Sequence, residues 1–458
     1  MRSRAWTFPC AALLVVFTLG CGSVPADAGF PDVEQLVQER LSKRARWLRG
    51  GPEDAEVDTA VRDLLKEPLS VDAAVQIALL SNRSIQATYE DLGVAQAEVV
   101  QAGLLRNPVL FASARFPTRA PKGTNVEVDL AQSFLEVLFL PARKQLAGIE
   151  FEQTKRRVAH AVLDLAADTR SAYYAALGAR QVADMRRMIT QAAEASALFA
   201  QRLYEAGNVS ELAYTLERAA YEQSRQEWAK AQAEVVSARE RLTKLMGVWG
   251  EGADWKLPDK LPDVPGDEMP LDRLESLAIA RRLDLSALRE EIRGLAAGYG
   301  LAGRVRWFGQ LDMGVSGERD PDGQWVVGPN LSVQLPIFDQ GQASLARLQA
   351  LLRQRENRMA ALAVDIRAEV RSLRDRLMMA RFRIEHVRDV ILPLREKAVS
   401  LTQEQWNFML VGAFELIESK RREFEAFQDY IDAVRDYWIT KSELVRSLGG
   451  GAPESKPK

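Results

Sequence analysis

The pattern of apolar and polar positions along this chain occurs twice, in the same order. From Leu69 an apolar face recurs at helical spacing through LSVDAAVQIALLSNRSIQATYEDLGVAQAEVVQAGLLRNPVL, with Ala73, Ala74, Ile77 and Ala78 along one side. Ser70 sits where an N-cap belongs, and Asn107-Pro108 marks the end, because a residue before proline avoids the helical region. The period then changes to two. Val126-Glu127-Val128-Asp129-Leu130 alternates apolar and charged side chains, as a strand with two different faces must. Val109 to Phe116 is a second strand candidate, separated from the first by the turn-rich Pro117 to Gly123. A proline-free helical pattern follows from about Ala142 to Ala206, and at 1.5 Å per residue it reaches roughly 100 Å.

The order restarts at Leu271. A shift of 202 lays Val75 on Leu277, Ile77 on Ile279, Ala78 on Ala280, Asn82 on Asp284 and Gln132 on Gln334. Further along, Arg170-Ser171 falls on Arg371-Ser372 at 201, and Glu211-Leu212 on Glu415-Leu416 at 204. A register that drifts so little identifies an internal duplication. In the second copy Leu311 to Ser316 and Leu331 to Leu335 alternate around the turn Asp320-Pro321-Asp322-Gly323, so each copy carries one β-hairpin between helices. The second long helical run, about Gln342 to Leu410, contains Pro393, which removes a backbone donor and predicts a kink or a division. Gly207 and Gly412 are expected to take the left-handed conformation that ends a helix, with return helices over Ser210 to Met246 and Phe414 to Leu448.

These boundaries divide the chain. Residues 29–68 form an N-terminal helical lead-in, with Val33, Leu36, Val37 and Leu41 at helical spacing and Val57, Val61, Leu64 and Leu65 again after Gly50-Gly51-Pro52. Residues 69–246 are the first repeat, with its hairpin at about 109–133, and 271–448 the second, with its hairpin at about 308–335. Residues 247–270 read as a structured Pro/Gly-rich connector pinned by Trp249 and Trp255, and 449–458 as a disordered tail.

Ahead of all this, Arg2 and Arg4 precede a short apolar run from Pro9 to Gly20, the form of a secretion signal and too short to span a bilayer as a helix. Two processing sites compete. Thr18-Leu19-Gly20-Cys21 resembles a bacterial lipobox, in which Cys21 is acylated after removal of residues 1–20; Ala26-Asp27-Ala28 is an ordinary cleavage site. With 61 basic against 63 acidic residues the formal charge is −2, which argues against nucleic acid as a partner. No later segment has the ~20 apolar residues of a membrane helix.

Taken with export and duplication, the segments LLRNP at 104–108, Leu335-Pro336-Ile337-Phe338-Asp339-Gln340-Gly341-Gln342, YEAGNVSEL, FMLVGAFEL and the helix ends KLMG and SLGG give a chain that resembles the TolC-type outer-membrane efflux channel family, in a lipoprotein form, from Leu69 to Leu448. The resemblance implies a mainly α fold with a β-barrel contribution: a homotrimer whose duplicated repeats build an α-helical barrel in the periplasm and share one twelve-stranded transmembrane β-barrel. It also implies a passive duct in the outer membrane, working with a periplasmic adaptor protein and an inner-membrane pump. Gly207, Asn208, Val209, Gly412, Ala413 and Phe414 would be the tips that meet the adaptor. Repeat one departs from the pattern between Glu136 and Pro141, where repeat two has P-x-F-x-x-G.

Physical argument leads to the same architecture. A bilayer admits only helices or closed barrels, and four strands cannot close one, so chains must share it. Alternation then turns Val126, Val128, Leu130, Leu311, Met313, Val315, Leu331 and Val333 to outer-membrane lipid, and Glu127, Asp129, Asp312, Ser332 and Gln334 to a watery lumen. Glu211, Glu415 and Glu418, just past the turns, read either as an acidic ring at the entrance or as solvated helix charges. Chemistry is sparse. His160 and His386 stand without metal-ligand spacing, Glu290-Glu291 point apart on a helix, and Gly298-Tyr299-Gly300 lacks the context of a nucleotide loop, so neither catalysis nor a cofactor or metal is expected. Two alternatives are a periplasmic adaptor and a structural coiled-coil scaffold. The adaptor would need a central split β module and would not predict two equivalent hairpins in a duplicated chain. The scaffold would show sustained heptads and no two-faced strands.

Overall fold

A computed structural model describes residues 23–52, 54–119, 123–266, 272–307 and 311–451. The signal segment with Cys21 and the last seven residues lie outside the described part. In order, the elements are α1 Phe30–Leu41, α2 Asp54–Leu64, α3 Val71–Ser81, α4 Arg83–Ala102, β1 Val109–Arg115, β2 Asn125–Ser133, α5 Phe134–Glu205 and α6 Glu211–Met246. The second half holds α7 Leu274–Arg281, α8 Leu283–Val305, β3 Leu311–Arg319, β4 Trp325–Val333, α9 Gln342–His386, α10 Leu392–Asn407 and α11 Ala413–Ser447. Among the described residues no helix is long and apolar enough to cross a membrane.

Ser70 caps α3 as its sequence position predicts, its hydroxyl accepting from Ala73 N–H at 3.1 Å. The helical pattern after it is two helices rather than one. Asn82 leaves the helical region, and its Oδ1 accepts from Ser84 and Ile85 N–H at 2.9 and 3.1 Å, which caps α4. The second copy breaks at Arg282, so the two kinks stand 200 positions apart, and Asn82 corresponds to Arg282 rather than to Asp284.

The long helix α5 starts earlier than the sequence suggests. It follows β2 directly at Phe134, keeps Pro141 inside and runs 72 residues, about 108 Å at 1.5 Å per residue. The expected break at Pro393 takes a specific form: a π turn over Val387–Ile391 joins α9 to α10, and Leu392 N–H bonds back to Val387 O. Widening the turn accommodates a proline ring that would otherwise meet a carbonyl of the preceding turn.

Two compact units divide the chain. One contains residues 90–157 and 284–362, with all four strands in a single antiparallel sheet of order β1-β2-β3-β4. In this unit α8 is tied to both long helices: Glu290 pairs with Arg156 of α5 at 3.3 Å, and Glu291 with Arg355 of α9 at 2.5 Å. The adjacent acids therefore do point apart.

The other unit, residues 32–89, 158–283 and 363–458, holds a core where Leu69, Ile77, Tyr173, Leu177, Leu242, Met246 and Trp255 are buried together. Tyr173 donates to Leu69 O at 2.9 Å, and burial pushes its phenol up to about 12, so it remains a neutral donor. The connector wraps this core. Lys256 O accepts from Leu69 N–H at 2.8 Å, Leu257 O from Arg180 at 3.0 Å and Pro262 O from the Trp438 indole at 2.9 Å. Trp255 pins it as expected, bonding Thr243 at 3.1 Å beneath the Arg239 guanidinium. Trp249 does not: it is 87 % exposed.

Candidate functional site

The sheet carries the first candidate surface. In its register Leu130 lies opposite Val315, Met313 opposite Leu331 and Leu311 opposite Val333, while Val126 and Val128 continue the same side of β2. Side chains alternate across a sheet, so pairing fixes faces. The eight residues read as apolar from two separate copies of the repeat share one face of one sheet. Leu110, Trp325, Val327 and Pro329 extend that face, and sequence alternation missed them because Val326 and Pro329 interrupt the period-two signal in β4. Its large side chains are open: Leu331 is 63 % exposed, Val315 55 % and Leu130 50 %.

The opposite face carries most of the sheet's polar side chains, cross-bonded to one another, with Val109, Phe111 and Val326 among them. Glu127 accepts from Arg115 at 2.7 Å and from Ser113 at 3.3 Å. It stands directly opposite Glu318, a like-charge pairing that costs stability unless neighbours intervene. Asn125 supplies the intervention on the other side, donating to Glu318 at 2.7 Å. Asp129, Asp312 and Ser332 occupy the same face, and Gln334 follows the last residue of β4. The sheet leaves β1 and β4 as edges, the arrangement that invites pairing with another chain.

The second surface is the pair of helix turns. Gly207 takes φ +73°, its N–H bonding Tyr204 O at 2.9 Å and Asn208 N–H bonding Leu203 O at 2.8 Å, which ends α5 in a Schellman motif. The second turn uses the same bonds on a different residue. Met409 takes φ +58°, with Met409 N–H to Trp406 O and Leu410 N–H to Gln405 O, both 2.9 Å. Gly412 instead has φ −82° and ψ 167° and is the N-cap of α11, so it does not end the long helix. A side chain there would meet the Glu415 carboxylate, whose Oε2 lies 2.8 Å from the position of a Cβ.

Asn208 is exposed and Val209 half-buried. Ala413 opens α11, and Phe414 packs its ring 5.7 Å from that of Phe199. Glu211 and Glu415 are exposed in the first turns of α6 and α11, where the N-terminal dipole favours them. Glu418 is held differently. Burial works against its charge, but Arg421 at 2.7 and 2.8 Å and Arg422 at 2.8 Å outweigh it and keep the carboxyl below the usual range. It is therefore an ion-paired group rather than a bare anion.

The remaining candidates are structural. His160 Nε2 lies 3.4 Å from Asp164, and His386 stacks on Phe382 with ring centroids 5.8 Å apart. No cluster of metal-ligating side chains occurs among the described residues.

Residues 74–248 match the family model described as "Outer membrane efflux protein". The cobalt-zinc-cadmium resistance protein CzcC of Cupriavidus metallidurans is 23 % identical over 400 residues, covering 83 % of this chain and 90 % of that protein. The CusC crystal structure, described for conformational changes accompanying folding and transmembrane channel formation, superposes with a TM-score of 0.68 at 18 % identity, over 83 % of this chain and 92 % of that one. The Campylobacter jejuni CmeC outer membrane channel gives 0.71 at 14 % identity, over 93 % of each chain. The chain has the fold of these channels, and its two-faced sheet is what that fold needs in a membrane. Over residues 74–248 the sequence matches the outer membrane efflux protein family, and across most of its length the chain is similar in fold to channels of the TolC type.

Proposed function

We propose that three copies of the chain close one twelve-stranded barrel in the outer membrane and continue as a helical tunnel into the periplasm. The observation that carries this is a single open sheet, built from both repeats, apolar on one face, polar on the other and unpaired at β1 and β4. In hydrocarbon an open edge leaves several kcal/mol per unpaired group, so β4 of one copy must meet β1 of the next until the ring closes. The apolar face then turns to lipid and the bonded polar face to water.

On this reading the protein is a passive duct within a tripartite system, and an inner-membrane pump supplies the energy. The adaptor seats on the tips Gly207, Asn208, Val209, Gly412, Ala413 and Phe414, while Glu211 and Glu415 give the entrance its negative field, with Glu418 bracing α11. Cys21 carries the lipid anchor. The cargo is small molecules or ions, divalent metal among them, in keeping with the cobalt-zinc-cadmium resistance relative. Native mass spectrometry of protein extracted from outer membranes tests the assembly: a trimer whose chains begin at an acylated Cys21 is expected, a trimer beginning at Gly29 removes only the anchor, and a water-soluble monomer refutes the duct.

A further inference from the structure

Basic residues gather where strands meet helices. The joints at 102–108, 134–144, 304–307 and 334–341 carry Arg106, Arg143, Lys144, Arg304 and Arg306 against only Glu136 and Asp339. The turns at the other end of the same strands, 116–124 and 320–324, carry two charges of each sign. The excess is thus confined to one end of the sheet. One of the five is internally matched, Arg106 to Glu136 at 3.0 Å. Arg143 has two guanidinium nitrogens, Nε and Nη2, that are shielded from water and that find no acceptor among the described residues.

Large apolar side chains surround this charge. Phe338 is 91 % exposed, and Phe134, Leu138 and Ile337 are open as well. The Arg306 guanidinium lies 4.2 Å from the exposed Trp307 ring. Between α5 and α8 a groove of about 310 Å³ has Ala142, Leu146, Ala297 and Leu301 in its walls and Arg304 among its lining residues. Aromatic rings beside cationic groups belong to the headgroup level of a bilayer.

We propose that this collar binds anionic phospholipid of the inner leaflet of the outer membrane, with Arg143, Arg304 and Arg306 meeting the headgroup phosphodiester and the exposed Phe134, Leu138, Ile337 and Phe338 beside its acyl chains. The proposal rests on the barrel reading, since only a membrane-inserted sheet brings its helical joints to that depth. Guanidinium groups suit the role because they offer paired donors to phosphate and lose little hydration on burial.

The protein purified from outer membranes in a neutral detergent is titrated with phosphatidylglycerol, phosphatidylcholine or lipid A and read by native mass spectrometry. Phosphatidylglycerol is expected to be retained over phosphatidylcholine, and Arg143→Gln/Arg304→Gln/Arg306→Gln to weaken its binding at least tenfold, with Arg319→Gln at the far end of the strands unchanged. If the triple variant fails to assemble, Arg304→Gln and Arg306→Gln are titrated singly, each expected to weaken binding about threefold. Equal retention of the two phospholipids, binding indifferent to these arginines, or retention of lipid A alone overturns the lipid site. A collar turned to the lumen gives the same indifference while the protein remains a membrane oligomer. Failure of the barrel reading itself is distinct, because the wild-type protein would then be missing from outer-membrane fractions.

Discussion

Asn330 donates its side-chain N–H to Asp129 Oδ1 at 3.3 Å, joining the second repeat to the first over the top of β3. The bond passes above Gly314, which pairs with Ala131 on one side and Asn330 on the other. A Cβ at Gly314 would stand 2.4 Å from both Asn330 Oδ1 and Leu130 O, so the absent side chain is what lets the amide cross. Gly314→Val is therefore expected to prevent assembly of the sheet. Asn330→Ala, which removes one partly exposed hydrogen bond, should cost about 1 kcal/mol and leave assembly intact. Quantifying heat-resistant oligomer in outer-membrane fractions separates the two; full assembly of the valine variant would contradict the packing described.

The two faces of β2 make opposite predictions one residue apart. On the barrel reading proposed above, Val128→Arg places a charge on the lipid face, at a cost of about 2–4 kcal/mol per chain near the bilayer midplane. Glu127→Gln keeps an acceptor for Arg115 and Ser113 and changes only a water-facing charge. Assembled protein in the outer membrane should fall sharply for the first and remain at the wild-type level for the second. Equal tolerance at both positions would remove the lipid face.

Two glycines at the ends of the return helices do the same work in the two repeats. Gly247 follows α6 at φ +69°, with its Cβ position 2.7 Å from Ser81 O and Asn82 Cα; Gly449 follows α11 at φ +82°, 2.9 Å from Arg281 O. Each lets a helix end close against the kink of its own repeat, and Asn82 completes the first by donating to Leu245 O at 2.8 Å. The helix ends KLMG and SLGG are thus explained by contact as well as by capping. Gly247→Val combines a left-handed backbone, about 1–2 kcal/mol, with a clash against backbone that cannot move aside. Its melting temperature, followed by helical circular dichroism, should drop well below that of Gly207→Val, where no atom lies within 4 Å of the added carbon.

How much of this was legible follows from which signals are local. The apolar face of the sheet is legible because alternation is a property of neighbouring residues, and sheet register then has only to place Val126, Leu311 and Leu331 together. The start of α5 was not readable, since FLEVLFLP is apolar without period and its proline suggested a boundary that the helix passes through. The kink at Asn82 depends on a side chain capping its own backbone, a choice that spacing does not reveal. Glycine's tolerance of positive φ predicts the end of the second long helix at Gly412, yet the Schellman bonds fall three residues earlier on Met409. Both connector tryptophans have the size of an anchor, and only Trp255 is buried.

Met409 supplies a test with signs opposed between the repeats. Its left-handed backbone carries strain that Gly207 avoids, while glycine loses more chain entropy on folding, about 0.4–1 kcal/mol. The strain is the larger quantity, so Met409→Gly should stabilise by roughly 0.5–1 kcal/mol and Gly207→Ala destabilise by about 1 kcal/mol. Denaturant midpoints of the two variants, measured against wild type, should move in opposite directions. Movement in the same direction would show that the turns are not equivalent.

Acid should loosen the second tip through Glu418. Two guanidinium partners hold its carboxyl below the ordinary glutamate value, so its ion pairs contribute stability at every pH above that ordinary value and lose it as pH falls through the lowered, folded one. The pairs are partly exposed, which limits the contribution to less than about 1 kcal/mol. At neutral pH Glu418→Gln should therefore melt slightly below wild type, and the gap should close as pH drops beneath the normal carboxylate range. If instead the Glu418 gap persists at low pH, the side chain acts through packing rather than charge, and its bracing of α11 has a different origin.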